Sequence, residues 1–194
     1  MRVQVVLYPG VEEIDFIGTT TVLDAMDDME LTYVAVDNAS TVTTTSGLDV
    51  STNRHWSPES ADLLLVPGGR YGEGSAVDDQ IRAGVLPKAL AEAVRPGLIM
   101  AAVCTGTLLL SAAGITAGRP CTTHWVAKDD LKAQGGNVIN ARVVDDGNLV
   151  TSGGVTSGID LGLWLVERFV GIEAAMLAES VLEHERRGTV WRAA

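Results

Sequence analysis

The sequence predicts an α/β domain, a mostly parallel sheet with helices on both faces. Three observations carry the prediction. Apolar runs of strand length alternate with segments of helical periodicity, the pattern left by strand–helix–strand crossovers. Turns such as Pro9-Gly10 and Pro67-Gly68-Gly69 punctuate those runs. The chain has 194 residues and is 46% apolar, which suits one domain with a sizeable core and is too apolar for a disordered chain.

Taken in order, Arg2–Tyr8 reads as the first strand, turned by Pro9-Gly10 into a helix from about Glu12 to Met26. Leu31–Val36 is the second strand. Thr41–Val50 is rich in Thr and Val and split at Ser46-Gly47, which predicts a small hairpin. Leu63–Val66 is a continuous apolar strand ended by Pro67-Gly68-Gly69. Ile81–Val94 is mainly helical, with a break near Pro87. Leu98–Val103 is the next buried strand, and Thr105–Ala113 a helix stopped by Gly114. Cys121–Thr123 is a short strand, and Val126–Gln134 a helix stopped by Gly135-Gly136. Short strands follow at Val138–Ile139, Val143–Val144 and Leu149–Thr151. Ser157–Phe169 is a helix whose Ser157 and Asp160 have capping-box spacing, and Ile172–Glu185 is the last helix. No repeat, low-complexity segment or linker interrupts the series, so residues 1–194 read as one flavodoxin-like domain.

Composition excludes several classes of function. The formal net charge is −11, and of 14 basic residues only Lys88, Lys128 and Lys132 are lysines, which argues against nucleic acid. Acidic pairs (Asp27-Asp28, Asp78-Asp79, Asp129-Asp130, Asp145-Asp146) read as solvated turns and helix ends. No apolar run reaches the ~18 residues of a membrane span. The N-terminus reads as a strand rather than a signal peptide. A cytoplasmic protein without membrane partners is expected. Two cysteines, Cys104 and Cys121, build no disulfide framework and form no C-x-x-C pair. No His/Cys/Asp cluster has metal spacing, so no metal is expected.

Chemistry concentrates at AAVCTGTLLLSAAG, residues 101–114, where Cys104 sits between an apolar strand and a helix. In an open α/β sheet, ligands lie beyond the carboxyl ends of the strands. A helix start offers unpaired N–H groups and a dipole that favour an anion, which would lower the thiol pKa. Thr105 and Gly106 are small enough for a tight turn that displays the side chain, as in a nucleophile elbow.

Candidate partners follow. Asp15, in EEIDFIG, shares a helix face with Val11, Gly18 and Val22. An inward face would bury its carboxyl, raise its pKa and let it carry a proton, and Gly18 would let a strand or loop approach closely. Gly68 and Gly69 permit exposed backbone N–H groups. The N–H of Gly69 or Arg70 could pair with that of Thr105 around a developing charge. The loop GGRYGEG lacks the signatures of nucleotide binding. His124, in CTTHW, is a base, an N-cap or a packing histidine, whereas His55 and His184 look peripheral. Trp125, Trp164 and Trp191 read as core or interface residues.

The strings LYPGVEEIDFIG, LLLVPGG, AAVCTGTLLLSAAG, TTHW and NLVTSGGVTSGIDLGLWLVERF, in that order, resemble the ThiJ/PfpI superfamily, related to class I glutamine amidotransferases. Within it they are most similar to the isonitrile hydratase subgroup, which has an aspartate and a Cys-Thr pair at the positions of Asp15, Cys104 and Thr105. The resemblance implies hydration of R–N≡C to an N-substituted formamide. Cys104 would attack the isonitrile carbon and Asp15 would relay protons. Thr105 and the Gly69 region would stabilise a thioimidate. It also implies a homodimer with the elbow near the interface, and no cofactor. The chain departs from the pattern at FIGTT, where relatives often have Gly-Pro, and at the bulky Arg70-Tyr71 beside the substrate. Threonine rather than histidine after Cys104 argues against the peptidase-like branch, and no basic helix-turn-helix segment follows the domain. The alternatives are a non-catalytic redox sensor, in which Cys104 oxidises to a sulfinate, and glyoxalase-type aldehyde chemistry at the same thiol.

Overall fold

The computed structural model describes residues 1–193. The first strand, β1 (Arg2–Val6), leads through Pro9-Gly10 to α1 (Glu13–Asp24) and then β2 (Glu30–Val34). A hairpin, β3 (Thr41–Thr43) and β4 (Asp49–Ser51), folds around Ser46-Gly47 as its composition predicts. Next come β5 (Leu63–Val66), α2 (Ala76–Ala83), α3 (Val85–Ala93), β6 (Ile99–Ala102) and α4 (Gly106–Ala112). The second half holds β7 (Pro120–Cys121), α5 (Lys128–Ala133), β8 (Asn137–Val138), β9 (Val143–Asp146) and β10 (Leu149–Ser152). It closes with α6 (Ser157–Phe169), α7 (Ile172–Leu182) and β11 (Trp191–Arg192).

The main sheet has seven strands in the order β11-β9-β10-β6-β5-β1-β2, parallel except for the antiparallel β9–β10 pair. Its five-stranded parallel part has the 2-1-3-4-5 order of flavodoxin-like folds. Central strands β5 and β6 are buried along their whole length, as expected of apolar runs covered on both faces. Helices α1, α6 and α7 pack on one another on one side, and α2, α3 and α4 on the other.

Three local expectations need correction. The helical region before β6 starts five residues early, at Ala76. There the Ser75 hydroxyl accepts from the Asp78 N–H at 3.3 Å. The break falls at Gly84, whose φ of +70° ends α2, and Pro87 lies inside the first turn of α3, where its missing N–H costs nothing. Thr156, not Ser157, precedes the first residue of α6, and no side-chain cap forms. Asp160 instead takes a hydrogen bond from Arg142 Nε at 2.6 Å and lies 3.2 Å from His184 Nε2. Finally α7 stops at Leu182, and the unforeseen β11 adds a parallel edge strand to β9.

Close packing between α1 and α6 fixes the position of Asp15. The sequence GIDLG places Gly158 and Gly162 one turn apart on α6. A Cβ at Gly158 would lie 2.8 Å from Thr19 Oγ1, and one at Gly162 would lie 2.9 Å from the Thr19 carbonyl oxygen. The Thr19 hydroxyl bonds both the Asp15 carbonyl (2.8 Å) and the Gly158 carbonyl (3.0 Å). Gly18 meets the Ile159 side chain of this same helix rather than a strand or loop.

Candidate active site

Four chain segments converge beyond the carboxyl ends of β1, β5, β6 and β10, at the switch point where strand order reverses. After β6 the chain turns sharply at Cys104, whose φ is +79°, a conformation non-glycine residues rarely adopt. Surrounding bonds hold it there. The Cys104 N–H donates to Ser152 O at 3.3 Å, and its carbonyl accepts from the Thr123 hydroxyl at 2.7 Å. Gly106 is required at the elbow because any Cβ would collide with the Val66 carbonyl oxygen. The thiol is 5% exposed.

Asp15 lies in the first turn of α1, yet it is fully buried, as its helix face predicts. The loop after β5 meets it. Glu12 N–H donates to Gly68 O at 2.8 Å, and Gly68 N–H donates to Asp15 Oδ2 at 3.0 Å. Asp15 Oδ1 has no N–H or O–H donor. Gly68 admits no side chain, since a Cβ would lie 2.8 Å from Asp15 Oδ2 and 2.5 Å from Thr105 Oγ1.

Burial pushes the Asp15 carboxyl up to about 7, against the pull of the Gly68 N–H and the neighbouring thiol. Burial also pushes the Cys104 thiol up to about 12, reinforced by the Asp15 charge and opposed by the backbone N–H groups of Val155 and Thr105. The expectation of a thiol acidified by its helix is therefore corrected. The helix that follows is only seven residues long, and desolvation beside a carboxylate outweighs its dipole. Thiol and carboxyl thus act on each other as one pair.

The expected anion hole is also rearranged. The Gly69 N–H is already committed to Thr105 Oγ1 at 3.0 Å, and the Thr105 hydroxyl donates back to Gly69 O at 2.8 Å. Thr105 thus ties the β5 loop to the elbow. The N–H groups that favour charge on sulfur are those of Thr105 and Val155. Val155 escaped the sequence reading. Its φ of +55° turns its N–H inward while its side chain stays 41% exposed. The adjacent Gly153-Gly154 after an apolar strand was the available signal. Arg70 is exposed at the rim, where its charge offsets that of Glu12. His124 acts as an N-cap, its Nδ1 accepting from Val126 N–H at 3.4 Å, and its ring fills the space over Gly154 rather than pairing with the thiol. Trp164 is core, but Trp125 is 76% exposed. Among the described residues no group of His, Cys, Asp or Glu is gathered to hold a metal ion, and no helix is long and apolar enough to cross a membrane.

Residues 1–168 match the DJ-1/PfpI family. The chain belongs to it. Among its DJ-1/PfpI relatives is the isonitrile hydratase of Pseudomonas putida, 35% identical over 185 residues, covering 95% of this chain and 78% of that protein. A deglycase of Pyrococcus horikoshii is 31% identical over 138 residues, or 70% of this chain and 78% of the relative. A ThiJ/PfpI family protein from Pseudomonas syringae superposes with a TM-score of 0.85 at 26% identity, over 96% of this chain and 76% of that one.

Proposed function

We propose that this DJ-1/PfpI protein is a cysteine-dependent hydratase of small carbon–nitrogen substrates, isonitriles first. The observation that carries the reading is the elbow thiol of Cys104 beside a buried carboxyl whose proton is exchangeable near neutrality. The similarity to an isonitrile hydratase over 95% of the chain supports it.

In the reactive form the pair holds one proton. Asp15 takes the thiol proton as sulfur attacks the carbon of R–N≡C, then delivers it to that carbon, leaving the thioimidate R–N=CH–S–Cys104. The N–H groups of Thr105 and Val155 stabilise negative charge on sulfur during the transfer. Water adds to the thioimidate carbon while Asp15 accepts its proton and passes it to nitrogen. The adduct R–NH–CH(OH)–S–Cys104 collapses to R–NH–CHO, and the hydroxyl proton returns to sulfur through Asp15. The sum is R–NC + H2O → R–NH–CHO.

The test is formamide production from cyclohexyl isonitrile followed by NMR. Cys104→Ala should abolish turnover, and Asp15→Asn should reduce it by at least about 100-fold, the usual scale of acid–base assistance. An unmodified protein that makes no formamide overturns the isonitrile reading. The similarity to a deglycase favours aldehyde adducts at the same thiol as the second reading, assayed with methylglyoxal. Burial and the raised thiol pKa weigh against a peroxide sensor, which needs an accessible thiolate. The expected homodimer belongs to the same proposal. Exposed Ile14 and Ile17 flank Asp15 on α1 and supply an apolar surface for it, and light scattering that gives a monomer mass would remove it.

A further inference from the structure

A cleft of about 330 Å³ opens next to the segments that hold the elbow. Its lining includes Thr123, His124, Lys128, Arg142 and Gly154. Two residues of its lining tie it to the elbow: Thr123, whose hydroxyl donates to the Cys104 carbonyl at 2.7 Å, and Gly154, which precedes Val155, whose backbone N–H favours charge on sulfur. Its charge is opposite to that of the molecule. In a chain of net charge −11 with three lysines, no carboxylate is among the residues lining this cleft, while Lys128 and Arg142 both are. Arg142 is largely neutralised from below by Asp160, at 2.6 Å from its Nε. Lys128 is not: its Nζ donates to the neutral Asn140 Oδ1 at 2.8 Å. The cleft therefore offers one uncompensated ammonium, with the rim of a guanidinium beside it.

We propose that this cleft is a subsite for an anionic substituent on the substrate, with Lys128 as its main counter-charge. The substrate class is then an isocyano carboxylate, ⁻OOC–R–N≡C, with the isonitrile carbon at Cys104 and the carboxylate at Lys128. The product is the corresponding N-formyl amino acid. A reaction that consumes it would remove the formyl group from an N-acylated amino acid. This inference rests on the hydratase reading for its chemistry, but its electrostatic content is independent of turnover.

Two measurements test it. The first compares kcat/KM for isocyanoacetate and its methyl ester. The acid should be preferred by about ten-fold, the size expected of one partly screened ion pair. The preference should fall toward unity in Lys128→Met and return in Lys128→Arg. Turnover of both compounds at equal efficiency by the unmodified protein overturns the subsite and leaves the hydratase reading standing. Absence of turnover with any isonitrile overturns the hydratase reading and shifts the decision to the second measurement. That is the rate of Cys104 alkylation by iodoacetate relative to iodoacetamide, which differ in charge and hardly in size, with loss of the free thiol followed by intact mass. The iodoacetate-to-iodoacetamide ratio should be several-fold higher in the unmodified protein than in Lys128→Met, and the excess should shrink in 1 M salt. An unchanged ratio overturns the subsite whatever the enzyme's reaction proves to be.

Discussion

Burial holds the Asp15 carboxyl near 7 in the folded protein, against the 3.8 of an ordinary aspartate in the unfolded chain. Between those values the folded state binds more protons, so stability falls as pH rises from about 4 to about 7 and stays low above. The full shift corresponds to about 4 kcal/mol. Asp15→Asn keeps an acceptor for the Gly68 N–H and removes the buried charge. It should raise Tm relative to the parent at pH 8, with the gap closing toward pH 4. A gap of the same size at both values would mean that the carboxyl is not held neutral by burial. The same titration governs activity. Because the one-proton form of the pair is the reactive one, kcat/KM should rise with pH through about 7 and then level off. Sequence pattern was enough to place this carboxyl inside, since Asp15, Gly18 and Val22 share a face of α1, although Val11, counted on the same face, precedes the helix and pairs with Gly69 instead. The direction of the Cys104 shift was not legible, because it depends on how much surface covers the sulfur and on the carboxylate touching it, neither of which is written in local spacing.

At the scale of elements, α1 is seated against α6 through Gly158 and Gly162, and the height of Asp15 above the sheet depends on that seat. Gly162→Val would place branched carbon against the Thr19 carbonyl and Val22. It should destabilise by about 1–3 kcal/mol, as overpacking does, and lower kcat/KM by more than the loss of folded protein accounts for. Urea unfolding and turnover on the same samples check this. Buried strands β1, β5 and β6 were legible as apolar runs, and the elbow as the junction that ends one of them. The edge strand β11 was not. Its two residues, Trp191 and Arg192, carry no period, and the strand exists because β9 leaves an open edge for Val144 and Asp145 to pair. The capping box failed for a related reason: Asp160 has a stronger partner in Arg142 than the local backbone offers.

Across the whole molecule, Asp145 joins the far edge of the sheet to the helical layer. It accepts from Trp164 Nε1 at 2.8 Å, from Arg168 Nη1 at 3.0 Å and from the Gly147 N–H at 2.8 Å, and it is 6% exposed. Asp145→Ala would leave the buried Trp164 indole N–H unpaired, and should lower unfolding free energy in urea by about 1–3 kcal/mol without changing the active-site pH profile. The uneven charge has its own consequence. At net −11 the folded chain repels itself, so moderate salt should raise Tm, and a Tm that falls between low and 0.3 M NaCl would contradict this.

Val155 divides two jobs between its two halves. Its backbone N–H favours charge on the sulfur, while the residue is 41% exposed to solvent. Selectivity can therefore drift by exchanging one outward side chain while the reacting geometry is inherited intact. Asparagine or glycine, which tolerate that twist better than a branched residue, are the replacements from which such drift would start.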